Sequence, residues 1–201
     1  MALDCILCQP FAFWSSLAYL ISGIFLHYQI QNPTLESRYW IRAIVVVTFA
    51  SFFAHASFTN LALAIDMAAI IVLTGFIHFP RYISDRNLRI RTSLFLVLFT
   101  LISGTLFLVP LDLWVPLTFL FFTVSAFHLW RKTPVALHKE KGFILSMVIY
   151  GLSFCFFIFD KEPWLCGIKY FPYGHTIWHL GSALTTYLFG RWYFVELPKK
   201  I

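Results

Sequence analysis

Charge is what this sequence has least of. Asp, Glu, Lys and Arg make up 12% of its 201 residues, where an ordinary soluble domain carries roughly 25%. That scarcity excludes a solvated surface of normal extent, and with it the usual soluble enzyme or binding module. Internal repeats and low-complexity runs are also absent, so nothing points to a solenoid or a long linker. Cysteines are few, four in all, and Cys5-x-x-Cys8 is followed by no second such pair, which argues against a zinc ribbon. No basic segment precedes the first apolar stretch, and that stretch is too long for the core of a cleaved signal peptide. It is expected to stay in the chain as a helix.

What is present in quantity is apolar sequence, 60% of the chain, with 20% aromatic. A hydrocarbon layer about 30 Å thick takes about 20 mostly apolar residues per helix. Such stretches fall at 11–30, 41–58, 61–79, 92–109, 113–130, 143–160 and 174–193. Short polar connections at 31–40, 80–91, 131–142 and 160–172 separate them, and the breaks at 59–60 and 110–112 are tight turns. The pattern predicts an all-α integral membrane protein, a bundle of seven transmembrane helices forming one domain over residues 1–201.

The net charge of +6 does not indicate nucleic acid, because its distribution is that of a membrane protein. Threading the seven stretches alternately puts Arg38, Arg42, Arg81, Arg86, Arg89, Arg91, Arg131, Lys132, Lys139, Lys141, Arg191, Lys199 and Lys200 on one side. Only Lys161 and Lys169 fall on the other, so the fifteen basic residues divide 13 to 2. Basic residues collect on the cytoplasmic side, so the N-terminus is expected outside or in a lumen and the C-terminus in the cytoplasm. Six or eight helices would largely destroy this separation. Cys5, Cys8 and Cys166 then lie in outer segments, with Cys155 about one turn from the outer end of its helix. An oxidising compartment would permit a bridge from Cys5 or Cys8 to Cys166, with the pairing open.

Ionisable residues deep in a transmembrane helix are expensive, roughly +2.5 to +3.5 kcal/mol for an Asp near the centre, and they mark functional sites. Here they are Ser51 and His55 on the second stretch (the serine included for its spacing), Asp66 on the third, and His175 and His179 on the seventh. With alternating direction, all five lie in the outer one or two turns of their helices, so three helices bring polar groups to one depth. His175-x-x-x-His179 sets two imidazoles one turn apart on one helical face, and Ser51-x-x-x-His55 does the same for a hydroxyl and a third imidazole. Three neutral imidazoles with an open fourth position are the ligand set of catalytic zinc. Imidazole also suits copper, iron and nickel. His27, His78 and His128 sit near the opposite ends of their helices and fit interfacial roles beside aromatic residues, while His138 lies in a basic loop.

Ser51-x3-His55, Asp66 eleven residues beyond that histidine, and His175-x3-His179 on the last helix form a pattern that resembles the CREST superfamily of seven-helix membrane hydrolases. That superfamily includes the alkaline ceramidases, the adiponectin and progestin receptors, and the bacterial haemolysin III-like proteins. The eleven-residue step is similar to that of the alkaline ceramidases, as is Phe13-Trp14-Ser15, which resembles their Phe-Trp-Asn. Asp4-Cys5 resembles their N-terminal segment, in which a cysteine pairs with one in the last lumenal loop. The chain departs from those ceramidases at Ala12, where they carry a glutamate of a calcium site. Ile6-Leu7-Cys8-Gln9-Pro10 supplies no carboxylate, and Asp4 alone cannot build an oxygen cage of six or more ligands, so calcium is not expected.

The resemblance implies hydrolysis of a lipid amide, with ceramide or another N-acyl lipid as substrate and one zinc ion held by His55, His175 and His179. Such an ion lowers the pKa of a bound water toward about 7. Asp66 would accept that water's proton and pass it to the leaving amine, or else orient a ligand histidine. Ser51 would hydrogen-bond the oxyanion. The alternative the same resemblance allows is a seven-helix lipid-binding receptor in which zinc is structural. A proton-relaying transporter would show inverted repeats or broken helices, and the sequence shows neither. Plasma membrane and endoplasmic reticulum both fit.

Overall fold

The computed structural model describes residues 10–57, 59–75, 111–132, 141–159 and 174–196, with single helical positions at 90, 93, 97 and 101. No strand occurs among the described residues. The elements are α1 (Pro10–Ser15), α2 (Leu17–Gln29), α3 (Leu35–Ser57), α4 (Asn60–Gly75), α5 (Leu111–Lys132), α6 (Lys141–Phe159) and α7 (Gly174–Arg191), which runs into a π-helical turn, Trp192–Glu196. The helix expected at 92–109 lies outside the described residues apart from helical positions 93, 97 and 101.

The first stretch forms the continuous span Phe11–Gln29, interrupted only at Ser16 between α1 and α2, where the backbone stays helical and the Ser15 and Ser16 hydroxyls both bond the Ala12 carbonyl, at 2.9 and 3.0 Å. Serine side chains that capture a carbonyl one turn back compete with the backbone ladder. One element differs from expectation. The second stretch starts at Leu35 rather than 41. Thr34 caps it, its hydroxyl accepting from the Ser37 amide at 3.2 Å. Hydropathy registers only the lipid-soluble part of a helix and misses such a polar first turn. The turn between α3 and α4 falls where expected, with Thr59 Oγ1 accepting from the Ala62 amide at 3.3 Å.

Three helices are long and apolar enough to cross a membrane: Phe11–Gln29, Leu35–Ser57 and Lys141–Ile158. Their side chains are distributed inside out relative to a soluble protein. Phe25, Phe49, Phe53 and Leu152 are at least half exposed, while Ser16, Thr48, Ser51 and Ser146 are fully buried. Water would drive the opposite arrangement. Lipid does not, because hydrocarbon tails solvate Phe and Leu while small polar residues serve helix contacts. The chain is a membrane protein.

Its described residues group into two compact units. One comprises Pro33–Ala54 and Phe58–Pro134, so α3 up to Ala54, α4 and α5. Within it α4 packs on α5 and buries Ala62, Ala64, Ala68 and Ala69, small residues that let backbones approach. The other unit holds α1, α2, α6, α7 and the last turn of α3, His55–Ser57. Here α7 is central, packed by α6, α2 and α1. Polar rungs tie α2 to α7: Tyr19 OH to Ser182 Oγ at 2.5 Å, Ser22 Oγ to the Ala183 carbonyl at 3.0 Å, and Gln29 Nε2 to Tyr187 OH at 2.8 Å. Against α6, Gly181 lies directly on Ser153. Phe143, Phe189, Trp192 and Tyr193 close the far end of the unit, where Arg191 pairs with Glu196 at 3.0 Å.

Candidate metal centre

Two features of helical geometry prepare the site. His175 and His179 stand one turn apart in the first two turns of α7, so their imidazoles project from one face. His55 stands on the final turn of α3, within the same unit. The three rings form an equilateral triangle, every pair of centroids 4.8 Å apart, with interplanar angles of 83°, 55° and 70°. One ring nitrogen from each lies within 4.8 Å of the others. His55 and His179 are buried at 1% and 2% exposure, and His175 is half-buried with its ring against Phe157 at 5.1 Å.

Hydrogen bonding settles how His179 faces the group. Its Nδ1 lies 3.0 Å from the Ala12 carbonyl oxygen. A carbonyl only accepts, so Nδ1 carries the proton and Nε2 the lone pair. That Nε2 faces His55 Nε2 at 3.2 Å. Two imidazole nitrogens this close share one proton or one ion. Tetrahedral zinc with Zn–N bonds of 2.0–2.1 Å sets its ligand nitrogens about 3.3 Å apart, which the His55–His179 pair matches at 3.2 Å. A histidine that donates its other N–H to a backbone carbonyl is the usual form of a metal ligand, oriented and made more basic by that bond. The three histidines are close enough to bind one metal ion.

Ser51 and Asp66 belong to the other unit. Ser51 is 1% exposed on α3, one turn before His55 on the same helix. Asp66 is 4% exposed on α4, and its Oδ1 has no hydrogen-bond partner among the described residues. A carboxyl oxygen buried without a partner is costly to folding. His27 and His128 are exposed on α2 and α5. Cys155 is free and exposed on α6. Asp4, Cys5, Cys8, Cys166, His78 and His138 lie outside the described residues.

Sequence reasoning passed over the groups around His179 Nδ1. The Ala12 carbonyl is backbone and carries no sequence signal. Ser16, whose Oγ lies 3.3 Å from Nδ1, sits in no ligand motif. Ser15, 3.0 Å from the same nitrogen, entered only through the resemblance of Phe13-Trp14-Ser15. The adjacent serine pair at the head of an apolar helix was the one usable signal.

No protein-family model matches the chain, and no curated protein matches it.

Proposed function

We propose that the chain is a seven-span membrane hydrolase, N-terminus outside and C-terminus cytoplasmic, in which His55, His175 and His179 hold zinc to cleave a lipid amide. The observation that carries this reading is the buried triangle of imidazoles with the His179 tautomer set by a backbone carbonyl. Zinc so held supplies a nucleophilic water at neutral pH and polarises the carbonyl to be attacked. The ceramidase-like spacing of Ser51, His55 and Asp66 supports the amide as the bond cleaved. Water oxygen adds to the carbonyl carbon, the C–N bond breaks, and a fatty acid and an amine result. Asp66 takes the proton lost by the water and delivers it to the leaving nitrogen. Ser51 donates a hydrogen bond to the carbonyl oxygen as negative charge develops there.

The test combines elemental analysis with a lipid assay on protein purified in detergent. Wild type should carry one zinc per chain and release free fatty acid from N-acyl lipids. His179→Ala should lose both, since removing one of three ligands opens the site. Fatty-acid release from a zinc-free His179→Ala protein would refute the mechanism. Bound zinc with no release from any N-acyl lipid would favour a lipid-binding receptor.

A further inference from the structure

The collar around His179 Nδ1 does more than continue a helix. Four donors converge on the Ala12 carbonyl: Ser15 Oγ at 2.9 Å, Ser16 Oγ at 3.0 Å, His179 Nδ1 at 3.0 Å and the Ser16 amide at 3.2 Å. A carbonyl oxygen has two lone pairs, so it cannot satisfy all four well. The excess is relieved if a hydroxyl stands between: Ser15 Oγ accepts from Nδ1–H at 3.0 Å while its own proton goes to Ala12. Ser16 Oγ, 3.3 Å from Nδ1 and 3.0 Å from the carbonyl, can take the same part. Every group in this arrangement is buried: Ala12 5%, Ser15 9%, Ser16 0% and His179 2% exposed.

We infer that Ser15 and Ser16 are positioning residues for the metal centre, which with the Ala12 carbonyl hold His179 in the Nδ1–H tautomer and aim its Nε2 at the ion. The junction of α1 and α2 is then part of the site. The two hydroxyls that bond the Ala12 carbonyl one turn back are those within reach of the imidazole Nδ1. This inference rests on the metal reading above and adds where its outer shell lies. It also gives one role to two adjacent buried serines whose hydroxyls lie 3.0 and 3.3 Å from the same imidazole nitrogen.

The test measures metal affinity and coordination rather than turnover. Purified wild type, Ser15→Ala/Ser16→Ala and Ser15→Thr/Ser16→Thr proteins are titrated with zinc against a chromophoric chelator. Their cobalt forms are compared by visible absorption. Loss of an outer-shell partner weakens metal binding about 10–100-fold. The double alanine variant should fall in that range and shift its cobalt bands. The threonine variant, which keeps both hydroxyls, should bind as wild type does. A double alanine protein with wild-type affinity and an unchanged cobalt spectrum would overturn the inference and leave the serines as partners of the Ala12 carbonyl alone. If that protein does not assemble, Ser15→Ala and Ser16→Ala are measured singly beside their threonine counterparts, and wild-type affinity with unchanged cobalt bands in both alanine proteins overturns it equally. Failure of the metal reading itself is separate: wild type then binds neither zinc nor cobalt.

Discussion

Gly181 is the position where one added carbon should be felt most clearly. A Cβ built there overlaps the Ser153 hydroxyl and comes to 2.7 Å from Ser153 Cβ, while the Ser153 Cα stays at 3.8 Å. The hydroxyl can rotate away, at the loss of its 2.6 Å bond to the Ile149 carbonyl. The Cβ cannot, and reaching ordinary contact at 3.4 Å requires α6 and α7 to part by about 0.7 Å. Two effects then compete in Gly181→Ala. Alanine is the better helix residue by about 0.8–1.0 kcal/mol, whereas overpacking a well-filled interface costs about 1–3 kcal/mol. Overpacking should win, because the parting falls two residues from His179, on the seam that holds α7. The decisive measurement is the same substitution in a Ser153→Gly background, where the nearest remaining atom, the Cα, is already at ordinary distance. Thermal unfolding in detergent should show Gly181→Ala destabilising with Ser153 present and neutral or stabilising with Ser153→Gly, a coupling of about 1–3 kcal/mol. Equal effects in the two backgrounds would refute the close approach of α6 and α7.

The parts of this molecule that were legible in the sequence are those written in side-chain chemistry at helical spacing. Gly174 as the start of the last helix, the turn at Thr59–Asn60, and the pairing of His175 with His179 on one face all follow from periodicity and turn residues. The approach of His55 to that pair follows in the sequence from matching depth alone, since nothing local to residues 51–58 encodes a contact with residue 179. The interruption at Ser16 leaves no mark in the sequence because apolar periodicity continues through it, from Phe11 and Phe13 to Leu17 and Leu20. A carbonyl acceptor such as Ala12 leaves no mark in a sequence at all. The first turn of α3 was missed for the opposite reason: Glu36 and Arg38 make it too polar for a hydropathy window, although Thr34 marks its cap.

Burial in the α7 unit links fold and site. Lipid gives large apolar side chains no reason to turn inward, so helix contacts there depend on small residues and on hydrogen bonds. Ser22, Ser146, Ser153, Ser182 and Thr185 are all nearly inaccessible, and several bond across α2, α6 and α7. An interior already built from hydroxyls and carbonyls offers acceptors to a buried imidazole at little extra cost. The contacts of His179 Nδ1 with Ala12 and Ser15 are the same kind of contact as the rungs that tie α2 to α7.

Two further predictions separate structural from chemical groups. Tyr19 OH and Ser182 Oγ are 2.5 Å apart in the interior, so Ser182→Ala should lower thermal stability. In a Tyr19→Phe background its effect should shrink by about 0.5–1.5 kcal/mol, and strict additivity would show that the contact contributes nothing. Asp66 poses the reverse case. A residue kept for folding destabilises the protein when replaced, whereas one kept for chemistry leaves stability unchanged or raises it. Its Oδ1 is buried with no hydrogen-bond partner among the described residues, and burying a polar atom without a partner costs stability that an apolar side chain does not. Asp66→Leu should therefore unfold at the wild-type temperature or above and retain its zinc, yet release no fatty acid. A marked fall in unfolding temperature would assign Asp66 to the fold and remove it from the proposed proton transfer.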